Sequence, residues 1–346
     1  MNTTENKHFS LDFWLNAFGS VLEVDILYVY LLTPLALVSF CFNLTSFVVL
    51  LKSSFSISSF YKYMRVYSLN STLISLVVLT TFTNRTHRIF SFTNTYPALI
   101  FGVYIKNPLE SILYLYSSLL EIFLIIERLL YFFPCHLKKL EFIGYSKFLI
   151  FLFALSALIN VPLFFLLEPT HADVKVSTDA WYRIHYYGIT SFSQTPTGET
   201  VSYLFYFTRD LLTLAIKLIL NISTIVLVKQ YASKIKKEKF EFAIKISTSI
   251  LHAENVQPVK NRLISKTERN QTYMAIIMCF FSLTKHVLFL TAYLTYFIGC
   301  LTTSTYLYYF ALLSLTFKHG SNIFVFSKFN HLFRAQIKKC FRVSLN

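Results

Sequence analysis

Charged residues are scarce in this chain, and their scarcity excludes an ordinary soluble domain. Only 14% of the 346 residues are charged, whereas about a quarter of the residues of a typical soluble protein are. Of the five cysteines, we expect only Cys300 to lie near the cell exterior, so no extracellular disulfide is expected. The histidines are scattered and lack the His-Glu-x-x-His spacing of a zinc enzyme. We therefore expect no catalytic centre, no metal and no cofactor.

Long apolar stretches take the place of the missing charges. Hydrophobic residues make up 55% of the chain, and a helix needs about 20 apolar residues to cross a bilayer core. The length and continuity of the runs favour helices over a β-barrel. The sequence thus predicts an all-α membrane protein, a seven-transmembrane helix bundle at 26–328 after an extracellular tail at 1–25. The predicted spans, of which the second is the most polar, are Ile26–Leu51, Tyr63–Thr83, Pro108–Phe133, Phe142–Leu167, Val201–Val228, Thr272–Ile298 and Ser304–Ser327.

The distribution of lysine and arginine predicts which way the bundle faces. The formal net charge is +15. With the N-terminus outside, 22 basic residues fall on the cytoplasmic side and six on the other. This positive-inside bias predicts a multi-pass protein of the plasma membrane with an extracellular N-terminus, and it argues against nucleic acid as a partner. Sequons at Asn2 and Asn84 are predicted glycosylation sites on the outer side.

The segment 329–346 is predicted to form a short amphipathic eighth helix and a cytoplasmic tail. Apolar residues share one side of this segment and basic residues flank them. Such a helix is typical of the surface of an anionic inner leaflet, with membrane lipids as partners. On the apolar side, Cys340 is either a palmitoylation site or an unmodified apolar cysteine.

A stripe of polar residues runs along the third predicted span. Glu110, Ser117, Glu121 and Arg128 are separated by seven, four and seven residues, so all four lie on one face of an α-helix. Because a charged group facing lipid is costly, we expect the stripe to face the bundle interior. Other predicted spans contain further ionisable residues. The lysines that we expect to lie deepest need carboxylate partners, for which Glu121 and Asp210 are the candidates.

Short motifs in four spans carry a family resemblance. Asn43 and Ser75 lie in the first and second spans, Glu127-Arg128-Leu129 ends the third, and Asn322-Ile323-Phe324-Val325-Phe326 ends the seventh. Phe333 follows Phe326 by seven residues. In these motifs the chain resembles the rhodopsin-like class of G-protein-coupled receptors, in a divergent branch similar to invertebrate FMRFamide-type peptide receptors. The resemblance covers most of the chain and implies an extracellular, peptide-like ligand and a heterotrimeric G protein as partner.

The chain departs from the family pattern at several positions. Leu129 replaces a tyrosine, Ser75 stands where the family has its sodium-binding aspartate, and the seventh-helix motif has lost both its proline and its tyrosine. The cysteine that opens the third helix is missing, near Val103. These departures leave open a specialised or signalling-poor receptor.

The resemblance and the spacing together suggest a role for each candidate residue. A neuropeptide or other small basic ligand would meet Glu110, Tyr114, His286 and, in the long outer loop, Trp181. The switch and G-protein contacts would be Glu127, Arg128, Glu268, Asn322 and Phe326. A pocket resembling the family's sodium site would comprise Asn43, Ser75, Ser117, Glu121 and Lys318, with the Lys318 ammonium in place of the ion and Glu121 as its counter-charge. Glu110 alternatively only starts the third helix, and Lys318 alternatively extends towards lipid headgroups.

Two other functions remain as alternatives. A seven-helix chemosensory channel would have an inside N-terminus, which the charge bias opposes. A secondary transporter could use the buried charges as a proton or substrate path, although the sequence has neither the internal repeats nor the broken helices of transporters.

Overall fold

The computed structural model of the chain describes residues 27–55, 59–85, 96–132, 145–175, 181–249, 266–298 and 300–343. Its longer helices are α1 (Thr33–Leu50), α2 (Ser59–Arg85), α3 (Asn107–Phe132), α4 (Tyr145–Asn160), α5 (Thr213–Ser249), α6 (Lys266–Phe297), α7 (Leu301–Phe329) and α8 (His331–Val343). Short π-helical turns precede α1, α3 and α5 at Tyr28–Leu32, Gly102–Lys106 and Phe207–Leu212. Shorter helical segments are Tyr96–Phe101, Leu163–Leu166 and Pro196–Tyr206.

Five helical stretches within the described residues are long and apolar enough to cross a membrane. They are Tyr30–Leu50, Gly102–Leu129, Tyr145–Leu166, Thr208–Gln230 and Asn270–Thr295. The prediction of a helical, multi-pass membrane protein is therefore confirmed. The helices α2 and α7 are not among the five stretches. The second and seventh predicted spans lie within α2 and α7, and the polar residues of these two helices lower their mean hydropathy.

The helices form a closed ring of contacts that includes α3. Along the ring α1 contacts α2, α2 contacts α3, α3 contacts α5, α5 contacts α6, α6 contacts α7, and α7 returns to α1. Helix α3 also packs against α4 and α6. Because α3 touches neighbours on several sides, its polar stripe faces other helices rather than lipid.

A β-hairpin lies between α4 and α5, where the sequence predicted only a loop. Its strands are β1 (Leu167–Lys175) and β2 (Trp181–Ile189), antiparallel, with Leu167 opposite Ile189 and Lys175 opposite Trp181. The backbone N–H and C=O groups of each strand form hydrogen bonds with the other strand. We call this side of the bundle the hairpin end and the opposite side, where α8 lies, the α8 end.

Two apolar clusters enclose a polar middle layer. The cluster nearer the α8 end includes Phe55, Phe60, Leu124, Phe326 and Phe333. The cluster nearer the hairpin end includes Leu32, Ile74, Phe289, Tyr309 and Leu315. Between them the buried side chains are largely polar or charged, and this layer holds the candidate site.

Candidate functional site

The polar stripe of α3 lies inside the bundle, as its spacing predicted. Glu110 is 9% exposed, Ser117 1%, Glu121 2% and Arg128 6%. The stripe runs from the hairpin end to the α8 end, so each of its residues meets a different set of neighbouring helices.

The central group is the Glu121 carboxylate, which joins four helices. Its Oε2 accepts a hydrogen bond of 2.7 Å from Lys217 Nζ of α5. Its Oε1 accepts one of 2.7 Å from the Tyr67 hydroxyl of α2 and forms an ion pair with Lys318 of α7. Lys217 Nζ also donates to Ser282 Oγ of α6 at 2.6 Å. The single negative charge of Glu121 balances only one of the two positive charges of Lys217 and Lys318. Both oxygens of the Glu121 carboxylate accept hydrogen bonds.

Sequence reasoning paired Lys318 with Glu121 but did not assign Lys217, Tyr67 or Ser282 to this cluster. The sequence predicts that Lys217 needs a carboxylate partner, but it does not decide between Glu121 and Asp210. The choice depends on how α5 is rotated, and the π-helical turn before α5 changes that rotation by an amount that periodicity does not reveal.

The other residues of the predicted sodium-type pocket lie beside this cluster and are linked through α1. Asn322 Nδ2 donates to Asn43 Oδ1 at 3.3 Å, and Asn43 Nδ2 donates to the Ser39 backbone carbonyl at 2.8 Å. The hydroxyls of Ser39 and Ser75 are 2.9 Å apart. These contacts join α1, α2 and α7 through neutral groups, while the charge stays at Glu121.

The occupied Glu121 carboxylate leads to a prediction about sodium. A sodium ion needs several oxygen ligands, and the Glu121 carboxylate is already shared by Lys217, Lys318 and Tyr67. Exchanging sodium chloride for choline chloride should therefore leave the unfolding temperature of the purified protein unchanged. A rise with sodium that is abolished in Glu121→Gln would contradict the substitution of the ion by Lys318.

A second charged cluster lies between the centre and the hairpin end. Arg209 Nε and Nη2 donate to Asp210 Oδ2 at 2.8 and 2.6 Å. Arg209 also donates to the Tyr293 hydroxyl of α6 and, at 3.0 Å, to Ser111 Oγ of α3. On its other side, Asp210 Oδ1 is 3.6 Å from His286 Nδ1 of α6. The π-helical turn Phe207–Leu212 lets the adjacent Arg209 and Asp210 both reach the interior.

Three of the predicted ligand-binding residues, Glu110, Tyr114 and His286, lie near this second cluster. Glu110 Oε1 accepts a hydrogen bond of 2.6 Å from the Tyr114 hydroxyl, and its Oε2 is 3.8 Å from Lys106 Nζ. Lys285 Nζ lies 5.5 Å from the centre of the Tyr114 ring. His286 Nε2 is 3.3 Å from Ser118 Oγ and 3.4 Å from Lys217 Nζ. The structure therefore brings Glu110, Tyr114 and His286 into one region, with His286 connecting it to the central cluster.

At the α8 end, Arg128 joins three helices. Its Nη1 donates to Gln271 Oε1 of α6 at 2.7 Å, and its Nη2 is 3.1 Å from Glu127 Oε1. The guanidinium lies 4.7 Å from the centre of the Phe60 ring of α2. Sequence reasoning did not name Gln271; it named Glu268, three residues earlier, whose side chain lies outside the described residues.

The end of α7 packs on α8 through aromatic rings. The rings of Phe326 and Phe333 are 5.4 Å apart in an edge-to-face arrangement, and Phe333 is fully buried. The seven-residue spacing noted in the sequence therefore corresponds to a direct contact.

Several predicted positions fall outside the described part of the structure. Asn2 and the N-terminal tail lie outside the described residues, as do the side chains of Asn84, Trp181, Glu268 and Cys340. Their suggested roles stay predictions.

No group of three histidine, cysteine, aspartate or glutamate side chains is placed to hold a metal ion within the described ranges. The sequence matches no known protein family and no curated protein.

Proposed function

We propose that the chain is a seven-transmembrane receptor of the plasma membrane that transmits the binding of an extracellular ligand to a heterotrimeric G protein. In this proposal α2 and α7 complete the set of seven spans. Their polar residues support this because they turn towards other helices: Ser71 Oγ of α2 is 2.8 Å from His319 Nδ1 of α7. The hairpin end is extracellular and the α8 end cytoplasmic, as the distribution of basic residues favours.

The observation that carries the proposal is the position of Arg128. This arginine is buried at the α8 end, and its contacts hold α3 to α6 through Gln271 and to α2 through Phe60. A hydrogen bond to a charged group contributes about 1.5–3 kcal/mol, which is comparable with the free energy that separates two conformations of a receptor. Breaking the contact with Gln271 would allow α6 to move away and expose Arg128 to a partner.

The ligand would enter at the hairpin end. Glu110 supports this view, because it lies about five turns from Arg128 on the same helix face and is less completely buried than Glu121, with 12% of its side chain exposed against 2%. A basic group on the ligand would compete with Lys106 for this carboxylate. Tyr114 and His286 would contact the ligand deeper in the bundle.

Removing the Gln271 amide tests the proposal. Gln271→Ala should raise basal G-protein dissociation about tenfold, because a loss of 1.4 kcal/mol corresponds to that factor in an equilibrium. The measurement is energy transfer between G-protein subunits, across a panel of G-protein classes, in cells matched for surface expression. The control variant is Phe280→Ala on the same helix, because Phe280 is 64% exposed on the outer surface of the bundle.

One result would bear against the receptor function and another against the role of Arg128. Equal basal dissociation in wild type and Gln271→Ala across the whole panel would contradict the proposal. An increase that survives in the double variant Gln271→Ala/Arg128→Ala would show that Arg128 is not the group that is released.

The buried charges favour a second candidate, an ion transporter or channel. Lys217, Glu121 and Lys318 cross the bundle from α5 to α7 in one connected cluster, and such groups in membrane proteins often form ion or proton paths. Whole-cell currents or proton uptake in cells that express the chain, abolished in Glu121→Gln at equal surface expression, would favour this function over the receptor.

A further inference from the structure

Among the described residues of the bundle interior, cationic side chains outnumber carboxylates. Lys106, Arg209, Lys217, Lys285 and Lys318 lie in the middle layer of the bundle or towards its hairpin end, together with the carboxylates of Glu110, Glu121 and Asp210. Glu110 Oε2 is 3.8 Å from Lys106 Nζ. Asp210 forms two hydrogen bonds with Arg209, and Glu121 is shared by Lys217 and Lys318. Each carboxylate is thus engaged by a cation other than Lys285. An excess of buried positive charge is costly in a membrane unless an anion offsets it.

Lys285 is the buried cation that is paired with none of these carboxylates. The residue is only 3% exposed. Among the described residues, no carboxylate lies within ion-pair distance of its ammonium, and no side chain or backbone group forms a hydrogen bond with it. The contacts it does make are with two aromatic faces, 5.5 Å from the centre of the Tyr114 ring and 5.7 Å from that of Phe289. Cation–π contacts of this kind contribute about 0.5–2 kcal/mol, far less than the several kcal/mol that burying an ion costs.

We propose that Lys285 is the anchor of a binding site for an organic carboxylate whose apolar body packs against Tyr114 and Phe289. A carboxylate would offset one of the two surplus positive charges and form charge-assisted hydrogen bonds with the Lys285 ammonium. The two rings would cover the carbon atoms next to it. Arg209, with 15% of its side chain exposed, and Glu110, with 12%, mark the side from which such a group enters.

This site adds an anionic group to the ligand of the proposed receptor and rests on that function only for its biological role. Tyr114 connects the two ligand contacts, because its hydroxyl donates to Glu110 and its ring faces Lys285. A ligand that bears both a basic and an acidic group would meet opposite charges on the two sides of this tyrosine. A peptide with a free terminal carboxylate fits this arrangement better than an amidated one.

The test compares three probes that share one apolar body. The chain is purified into nanodiscs of zwitterionic lipid, and the binding of 4-phenylbutyrate, 4-phenylbutyramide and 4-phenylbutylamine is measured by calorimetry and by the shift in unfolding temperature. The acid should bind at least tenfold more tightly than the amide and the amine. In Lys285→Met the preference for the acid should disappear, and in Lys285→Arg, which keeps the positive charge, it should persist.

The matched control is Val287→Ala, two residues along α6, since Val287 is 51% exposed on the outer surface of the bundle. It should bind the three probes as wild type does. Equal binding of acid and amide by wild type would overturn the proposal, even if Lys285→Met failed to fold. An unchanged preference for the acid in Lys285→Met would overturn it as well.

Failure of this site and failure of the receptor function are distinguishable, because the binding measurement needs no G protein. A preference for the acid without G-protein coupling would keep the site and remove the receptor. Coupling raised by Gln271→Ala without a preference for the acid would remove the site alone.

Discussion

Replacing Glu121 with glutamine is expected to cause the largest loss of folded protein among single charge substitutions in the bundle interior. The Glu121 carboxylate is 2% exposed and is bonded to Lys217 and paired with Lys318. Glutamine keeps the volume and the hydrogen bond from Tyr67 but leaves two ammonium groups without a counter-charge. Removing one partner of a buried ion pair costs about 3–5 kcal/mol, and here one substitution removes the partner of two.

The same contacts predict how the loss of stability differs between the variants. Lys318→Met should cost less than Glu121→Gln, because Glu121 keeps Lys217 at 2.7 Å. This differs from what the sequence suggested, since Lys318 was the proposed counter-ion of Glu121 and Lys217 had no assigned partner. The triple variant Glu121→Gln/Lys217→Met/Lys318→Met, which removes all three charges, should recover most of the stability.

The stability of the variants can be compared by their surface expression in cells and by their unfolding temperature in nanodiscs. Glu199→Gln is the matched control, because Glu199 is an exposed carboxylate, and surface ion pairs contribute at most about 1 kcal/mol. A triple variant as unstable as the sum of its single substitutions would mean that the three groups are not coupled.

The part of the site that could be predicted from the sequence is the part fixed within one helix. The spacing of Glu110, Ser117, Glu121 and Arg128 places them on one face, and a charged face in a membrane turns inwards. These two arguments need no knowledge of neighbouring helices, and all four residues are buried in the structure.

Contacts between helices were harder to predict. Gln271 and Tyr67 are neutral residues, so no cost of burying charge pointed to them, yet they bind Arg128 and Glu121. The partner of Lys217 depended on the rotation of α5, which a π-helical turn changes. Lys285 was expected to need a carboxylate, and its aromatic surroundings instead suggest that a ligand supplies one.

Apolar periodicity predicted the helices but not the hairpin. The β1–β2 segment has neither a long apolar run nor a tight two-residue turn, so neither of the usual signals was present. The helices α2 and α7 illustrate the converse. Their polar residues lower the mean hydropathy, but these residues face other helices, as Ser71 and His319 do.

Replacing Phe333 with alanine is expected to release α8 from the bundle. Helix α8 begins at Asn330, whose Oδ1 accepts hydrogen bonds from the backbone N–H groups of Leu332 at 3.0 Å and Phe333 at 3.2 Å. This cap starts the helix at a fixed position and directs Phe333 between Phe326 and Phe55, with ring centres 5.4 and 6.4 Å away. Removing a fully buried phenylalanine costs about 3–5 kcal/mol.

The neighbouring residue provides the control for this prediction. Leu332 is 43% exposed, so Leu332→Ala should leave the unfolding temperature of the purified protein close to that of wild type, whereas Phe333→Ala should lower it by several degrees. Hydrogen exchange of the α8 backbone should increase in Phe333→Ala and stay unchanged in Leu332→Ala. Equal exchange in the two variants would mean that α8 is held by the lipid surface rather than by its contact with α7, because both side chains lie on a helix that also carries basic residues suited to anionic headgroups.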